Sequence, residues 1–351
     1  MKNCLITGGA GFIGCEVSKL IEDTFDNIIV IDNLHPQIHK LNERPADLSP
    51  KVNLYVADVM DPITWDEVLS KWKPDLILHL AAETGTGQSL TESSRHANVN
   101  VVGTTQMLDA LIRNDAIPSK IVLSSSRAVY GEGKWLDKDG ISFYPGQRSN
   151  EQLANKEWDF KESVFLPMNT NHTTPQPTSI YGTTKLAQEH LISCWCKSYG
   201  VNYTILRLQN VYGPGQSLIN SYTGIVSLFV RLAKQNKSIP LYEDGMMLRD
   251  FVFITDVARA IYEVMINENA NGKVFDIGSG YGSTIKEIAE LIAKRYEAPT
   301  PEVCEKYRNG DVRHAQADIS DTLQVLNWCP EVSLEEGMNL LCDWIDGQLE
   351  E

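Results

Sequence analysis

The hydrophobic pattern begins with a short apolar run, Lys2-Asn3-Cys4-Leu5-Ile6-Thr7, that leads into Gly8-Gly9-Ala10-Gly11-Phe12-Ile13-Gly14. Apolar positions then recur at roughly helical spacing through Cys15, Val17, Leu20 and Ile21, and a second apolar run, Ile28 to Ile31, ends on Asp32. This predicts strand, tight glycine turn, helix and strand in succession. The alternation continues, with a third strand over 52–57, a helix from Asp61 to Lys71, and a strand Leu76-Ile77-Leu78-His79-Leu80 apolar enough to be covered on both faces. A helix over 94–114, a strand from Lys120 to Ser125, a helix over 180–199 and a strand from Tyr203 to Arg207 follow. Strands alternating with helices imply an α/β fold, a doubly wound parallel sheet with helices on both faces.

Two departures from the alternation set the expected domain organisation. The stretch 132–178 is dominated by Gly, Pro, Asn and Thr, with Trp135 and Trp158 as isolated anchors, and so long an irregular insertion reads as a binding loop or lid. Beyond Gly213-Pro214-Gly215 the alternation weakens. We therefore expect a dinucleotide-binding domain over 1–208 and a smaller α/β substrate-binding lobe over 209–351, part of 250–275 packing back on the first. A chain of 351 residues is long enough for two such lobes.

Composition narrows the partners. With 42% hydrophobic and 22% charged residues the chain is ordinary for a soluble globular protein. Its net charge of −15 argues against nucleic acid and anionic membrane as partners, so an anionic ligand must be held locally, by helix ends and a few arginines. No apolar run approaches the eighteen or so residues of a membrane span, and Met1 leads straight into a strand, which reads as a cytoplasmic protein. The seven cysteines are scattered without a CxxC pair, and Cys194 and Cys196 fall on different faces of their predicted helix. Reduced structural thiols and no metal site are expected.

The glycine turn carries the first chemistry. Glycines there let the backbone pass close to a pyrophosphate, and the amides of the following helix face that anion. Asp32 sits where a carboxylate accepts the hydroxyls of an adenosine ribose. It also repels a 2′-phosphate, and Asn33-Leu34-His35 offers no arginine to neutralise one, so NAD is expected rather than NADP. Ala81-Ala82, small residues at the end of a strand, admit the nicotinamide ribose.

Reactive groups are expected at the carboxyl ends of the strands. Ser124-Ser125-Ser126-Arg127-Ala128-Val129-Tyr130-Gly131 follows one strand, and Tyr181-Gly182-Thr183-Thr184-Lys185 opens a helix. Residues four apart share a helical face, so Lys185 is expected near the Tyr181 phenol, its ammonium and an oxidised nicotinamide lowering that phenol toward neutrality. Tyr181 would then take a proton from a sugar or alcohol hydroxyl while hydride leaves, with Ser126 holding the same oxygen. Tyr130-Gly131-Glu132-Gly133-Lys134 also fits the Tyr/Lys spacing, but its two glycines predict a loop.

These motifs resemble the extended short-chain dehydrogenase/reductases, which have a Rossmann sheet. The resemblance rests on Thr7-Gly8-Gly9-Ala10-Gly11-Phe12-Ile13-Gly14, His79-Leu80-Ala81-Ala82, Ser126, Tyr181-Gly182-Thr183-Thr184-Lys185, Asn210-Val211-Tyr212-Gly213-Pro214 and Arg249-Asp250-Phe251-Val252, and runs over nearly the whole chain. It implies Ser126, Tyr181 and Lys185 as the catalytic set. For the cofactor it implies Gly8, Gly11, Phe12 and Ile13 at the pyrophosphate, and Asp32, Asn33, Asp58 and Val59 on the adenosine side. Leu80, Ala81, Ala82, Ser124, Tyr181 and Lys185 would lie toward the nicotinamide, Lys185 gripping its ribose.

Within the family the likeness is to the nucleotide-sugar branch, where Asn210, Arg249 and Arg308 would hold the diphosphate of a nucleotide sugar. Arginine suits that work because its planar fork pairs with phosphate oxygens. Arg313 nearby reads equally well as a salt-bridge residue. Thr86, Gln88 and Arg127 are the expected sugar contacts. Sugar-nucleotide 4,6-dehydratases carry an acidic pair after the catalytic Ser or Thr, whereas here Arg127 and Ala128 follow Ser126. The strings Asn33-Leu34-His35-Pro36-Gln37, Ala82-Glu83-Thr84-Gly85-Thr86-Gly87-Gln88-Ser89 and Ser126-Arg127-Ala128-Val129-Tyr130-Gly131-Glu132-Gly133, with the long insertion, resemble the dTDP-L-rhamnose 4-epimerase group. Epimerisation would proceed by oxidation at C4 and return of the hydride to the other face. A dTDP-4-keto-6-deoxyhexose reductase uses the same residues and stays open as an alternative, as does a non-catalytic NAD-binding regulator. The resemblance also implies a homodimer built through helices 94–114 and 180–199.

Overall fold

The structure, a computed structural model, describes residues 2–218 and 224–350. Seven strands form the central sheet: β1 (Asn3–Thr7), β2 (Asn27–Asp32), β3 (Val52–Val56), β4 (Leu76–His79), β5 (Lys120–Ser126), β6 (Asn202–Leu208) and β7 (Lys273–Ile277). Every neighbouring pair is parallel, in the order β7-β6-β5-β4-β1-β2-β3. The chain builds outward from β1 to β3, then returns to β4 on the other side of β1. That reversal opens a crevice at the carboxyl ends of β1 and β4, the place where such sheets bind ligands.

Period-two alternation sorts the sheet's side chains into two cores. Cys4, Ile6, Ile28 and Val30 face one cluster, and Leu5, Ile29 and Ile31 face the other. Helices α1 (Phe12–Ile21) and α5 (Ile254–Ile266) pack together on the first side. Helices α2 (Pro62–Lys71), α3 (Gly103–Arg113) and α4 (Ile180–Tyr199) cover the second. Each fully buried Leu or Ile contributes about 1.5–3 kcal/mol relative to exposure, so the double coverage explains why these strands read as unbroken apolar runs.

The predicted helix over 94–114 is not continuous. A short helix Ser93–Ala97 passes through a widened π turn, Asn98–Val102, before α3 begins. The buried Asn100 side chain explains the irregularity: it donates to Glu83 O at 3.0 Å and Thr184 Oγ1 at 2.9 Å, and accepts from Glu83 N at 2.8 Å. Widened turns of this kind gather near functional sites.

Past β6 the chain builds a second small sheet. Asn210–Tyr212 pairs in parallel with Leu248–Phe253, which also pairs with Gly282–Thr284 and His314–Ala315. Helices Ile225–Lys234, Ile285–Arg295 and Leu334–Glu350 enclose it around a third core that includes Phe229, Phe251, Ile288 and Leu341. The stretch 132–178 is more ordered than its composition suggests. Trp135–Leu136 pairs antiparallel with both Ser142–Phe143 and Val164–Phe165, and Met168 exchanges backbone hydrogen bonds with Gln316 and Asp318. Tyr130 to Lys134 forms no sustained helix; Gly131 and Gly133 take φ of +61° and +70°. Among the described residues no helix is long and apolar enough to cross a membrane, and no three His, Cys, Asp or Glu side chains group to hold a metal ion.

Candidate active site

The glycine turn is built against the neighbouring strand. Gly8 has φ +67° and donates its N–H to Ile31 O at 2.8 Å. A Cβ on Gly8 would stand 2.7 Å from both Cα and N of Ala81, so both the backbone angle and the space demand glycine. Gly11 precedes α1 without any side-chain cap, so the first amides of that helix, including Phe12 and Ile13, keep the N-terminal field for an anion. Asp32 points back at the turn: its carboxylate accepts from Ala10 N at 3.0 Å and from Leu34 N at 2.9 Å, with His39 Nε2 at 3.9 Å. Asn33 donates to Asp58 Oδ2 at 3.2 Å, which joins the ends of β2 and β3 beside the buried Val59.

The opposite lip follows β4 and β5. Leu80 N donates to Thr7 O at 3.0 Å and Ala81 N to Thr7 Oγ1 at 3.2 Å, and Ser124 Oγ lies 3.5 Å from His79 O. The crevice therefore has an uncapped helix end with glycines at its floor, a carboxylate at one side and small residues at the other. That is the geometry an NAD molecule requires, and these residues fit it.

Helix packing brings the reactive groups together. Ser126 ends β5 and accepts from Ala128 N at 3.2 Å, which caps the tight turn Arg127–Tyr130. Ser179 caps α4 by accepting from Gly182 N at 3.0 Å. Any Cβ on Gly182 would collide with the Ala128 carbonyl, so glycine is what lets α4 seat its first turn on that turn. Tyr181 is thereby brought to the side of Ser126 and Arg127, the two groups that act on its phenol. Burial raises the phenol above its ordinary value; the Ser126 hydrogen bond, then the Arg127 charge, pull it back.

Lys185 behaves differently from the expectation. Its ammonium donates to Gln188 Oε1 at 2.6 Å, one turn further along α4, and the two groups that lower the phenol are Ser126 and Arg127. Burial pushes Lys185 down to about 7, opposed by Glu189. The physical reason is desolvation: a lysine only 2% exposed needs an acceptor at once, and the Gln188 carboxamide supplies it.

Of the residues expected to meet the nucleotide sugar, only Arg127 acts on the Tyr181 phenol; the others have partners of their own. Arg127 Nε donates to Asn210 Oδ1 at 2.8 Å. Arg249 is buried, its guanidinium donating to the carbonyls of Leu248, Val312 and Arg313 at 2.7, 2.9 and 3.1 Å, and burial and the Arg148 charge draw it below its ordinary value. Thr86 Oγ1 lies 3.5 Å from Asp311 Oδ1. Gln88 is buried, and its amide exchanges hydrogen bonds with Gln37 and donates to Glu92 at 3.1 Å. Arg308 is exposed and lies over the Tyr242 ring, 5.3 Å from its centroid. Arg313, by contrast, is buried in ion pairs with Asp159, Glu243 and Asp244 at 2.8, 3.1 and 2.7 Å.

Sequence reading missed the polar groups behind the site. Gln188 is one; its spacing of three from Lys185 on a helix was the available signal. Glu189 is another: it accepts from Ser125 Oγ at 2.5 Å and from Arg207 at 3.0 and 2.8 Å, which ties α4 to β5 and β6. Arg148, Glu132 and Glu243 form a buried ionic group joining the insertion to the chain that follows the helix Ile225–Lys234. Nothing local announces it, since its members lie up to 111 residues apart.

Comparison with known proteins agrees with this geometry. The model of the NAD dependent epimerase/dehydratase family matches residues 4–153 and 159–278. A dTDP-L-rhamnose 4-epimerase from Burkholderia thailandensis is 53% identical over 99% of this chain and 96% of its own length. Among solved structures, UDP-glucose 4-epimerase from Thermotoga maritima with UDP-glucose superimposes with TM-score 0.81 at 28% identity, covering 99% of each chain. UDP-glucose 4-epimerase from Thermus thermophilus complexed with NAD gives 0.78 at 25% identity, over 98% of this chain and 99% of that one. The chain belongs to the NAD-dependent epimerase/dehydratase family. It is an enzyme that uses NAD, and its substrates are nucleotide sugars.

Proposed function

We propose that the protein is a 4-epimerase of a dTDP-6-deoxyhexose, with dTDP-L-rhamnose or its C4 epimer as substrate. The observation that carries this reading is 53% identity, over nearly the full length, with an enzyme of that name. The seating of Tyr181 beside the turn that follows Ser126, where Gly182 lies against the Ala128 carbonyl, is its chemical counterpart.

In this reading Tyr181 removes the proton from the sugar 4-hydroxyl and later returns one, and Ser126 holds that oxygen throughout. When bound, NAD supplies a nicotinamide that takes hydride from C4 and gives it back. Glycines 8 and 11 with the amides of Phe12 and Ile13 hold its pyrophosphate, Asp32 its adenosine ribose, and Lys185 its nicotinamide ribose. Arg249 and Asn210 face the sugar nucleotide's diphosphate, with Arg308 at the rim, while Thr86, Gln88 and Arg127 surround the sugar. We also infer a homodimer through the outer faces of α3 and α4, where Ile112 and Tyr199 are 40% and 50% exposed.

The test is to incubate the purified protein with dTDP-L-rhamnose, without added NADH, and follow inversion at C4 by NMR. Interconversion with NAD retained supports the reading. Turnover only of a 4-keto sugar, and only with added NADH, replaces it with the reductase. NAD binding without conversion of any dTDP- or UDP-sugar replaces it with the regulator.

A further inference from the structure

We propose that Gln188 is a positioning residue for this reaction, one that holds the Lys185 ammonium and ties it to a buried polar chain rooted in the central sheet. The proposal rests on the reading of Tyr181 and Lys185 as working groups. Gln188 is fully buried, and Lys185 beside it is 2% exposed. The carboxamide's orientation is fixed from both ends. Its oxygen accepts from Lys185 Nζ at 2.6 Å, and its nitrogen donates to Thr104 Oγ1 at 2.9 Å and lies 3.2 Å from His79 Nε2. Reversing it would set an NH₂ group against the ammonium, donor to donor.

The chain continues beyond Gln188. Thr104 donates to Asn100 O at 2.6 Å, and His79 Nδ1 meets Thr7 Oγ1 at 2.6 Å. Thr7 Oγ1 in turn accepts from Ala81 N on the lip of the crevice. The lysine and that lip are thus anchored to one set of polar groups on β1, β4 and α3. Lysine has a long stem with four rotatable bonds, and fixing it takes an acceptor of fixed position. Gln188 Oε1 is the sole hydrogen-bond acceptor of the ammonium among the described residues, so one N–H is committed to it and two are left without a protein acceptor. The charged or titratable groups near Lys185 are Glu189 on its own helix and His79 from β4, the latter pushed down to about 3 by burial and the Lys185 charge, hence neutral.

The experiment compares Gln188→Met and Gln188→Glu with the wild type. Titration of Lys185 is read by NMR of carbon-labelled lysine in full-length protein without sugar, the signal assigned by its loss in Lys185→Met. This readout is independent of which nucleotide sugar the wild type converts. Loss of the acceptor in Gln188→Met is expected to lower the lysine's titration by about one pH unit or more, and the carboxylate of Gln188→Glu to raise it by as much. In turnover, Gln188→Met should lose at least about tenfold in kcat with KM within about twofold, and Gln188→Glu should carry the alkaline limb of the kcat profile upward. Unchanged titration and kcat in a folded Gln188→Met overturn the proposal. Should that variant not accumulate, an unchanged titration in Gln188→Glu overturns it equally.

Discussion

Arg148 grips Glu243 at two points, Nη1 to Oε2 at 2.8 Å and Nη2 to Oε1 at 2.9 Å, with both side chains 1% exposed. One residue belongs to the insertion and the other follows the helix Ile225–Lys234, so the pair fastens the insertion to chain 95 residues further on. Its second anchor is Arg313, which joins Glu243 to Asp159. Breaking a buried pair from one side leaves an uncompensated charge, a loss of about 3–5 kcal/mol. Glu243→Gln is therefore expected to lower the unfolding free energy by about that amount, measured by urea titration. Limited proteolysis should cut faster within 132–178. The double variant Arg148→Met with Glu243→Gln should lose less than the sum of the two single changes, because the stranded charge is gone.

Glu132 gives the same group a pH dependence. Burial pushes its carboxyl up to about 7, against the Arg148 charge and the Arg313 N–H it accepts at 2.8 Å. A raised folded-state value means that the folded protein holds the proton more tightly than the unfolded chain. The stabilising contribution is complete below the ordinary glutamate range and is lost as pH rises through about 7. Glu132→Gln removes that slope while keeping an oxygen for the Arg313 amide. The change in unfolding free energy between pH 5 and pH 8 should differ between the two proteins by about 2–3 kcal/mol, the wild type losing more toward pH 8.

What was legible in the sequence divides along these lines. The turn at Gly8 to Gly14, the strand ending on Asp32 and the helix opening at Tyr181 are encoded by residues close in the chain. Strand, turn and helix geometry then fix where their side chains lie. Their boundaries shifted by one or two residues, as at β2, which runs Asn27–Asp32. The partner of Lys185 was not legible, because the choice between Tyr181 one turn back and Gln188 one turn on is settled by Thr104 and His79, brought in by other elements. Nor was the contrast between Arg308, exposed, and Arg313, buried, since the carboxylates that draw Arg313 inward come from Asp159, Glu243 and Asp244. The insertion looked irregular because its three strands are two residues each, too short to show a period.

Arg127 is expected to set the pH range of the reaction. Burial raises the Tyr181 phenol, and the Arg127 guanidinium works against that rise. Arg127→Gln removes the cation, so the phenol loses its proton only at higher pH and the acid limb of the kcat profile moves upward. Activity at pH 7 should fall about tenfold for each pH unit of displacement and recover as pH is raised. Arg127→Lys, which keeps the charge, should lie between the two. Tyr181→Phe, lacking the hydroxyl, should lose about 10²–10⁴-fold at every pH, with NAD still bound.

Asp32 holds the glycine turn, in addition to the place proposed for it at the adenosine ribose. Its two oxygens accept from Ala10 N and Leu34 N at 3.0 and 2.9 Å, and neither N–H would find a replacement in alanine. Asp32→Ala should therefore lower stability by about 1–3 kcal/mol through unsatisfied backbone donors. It should also weaken NAD binding at least about tenfold, as expected when a carboxylate paired with a hydroxyl is lost. The two effects separate in Asp32→Asn, where one oxygen remains for one of the backbone amides and the negative charge is gone. Repulsion of a 2′-phosphate then ends, so the ratio of NADP to NAD affinity should rise even though no arginine is present to favour NADP outright. Calorimetric titration of the cofactor-free variants with NAD and NADP reads both affinities directly. An unchanged ratio in Asp32→Asn would mean that the backbone shape of the β2 turn, rather than the carboxylate's charge, selects the cofactor.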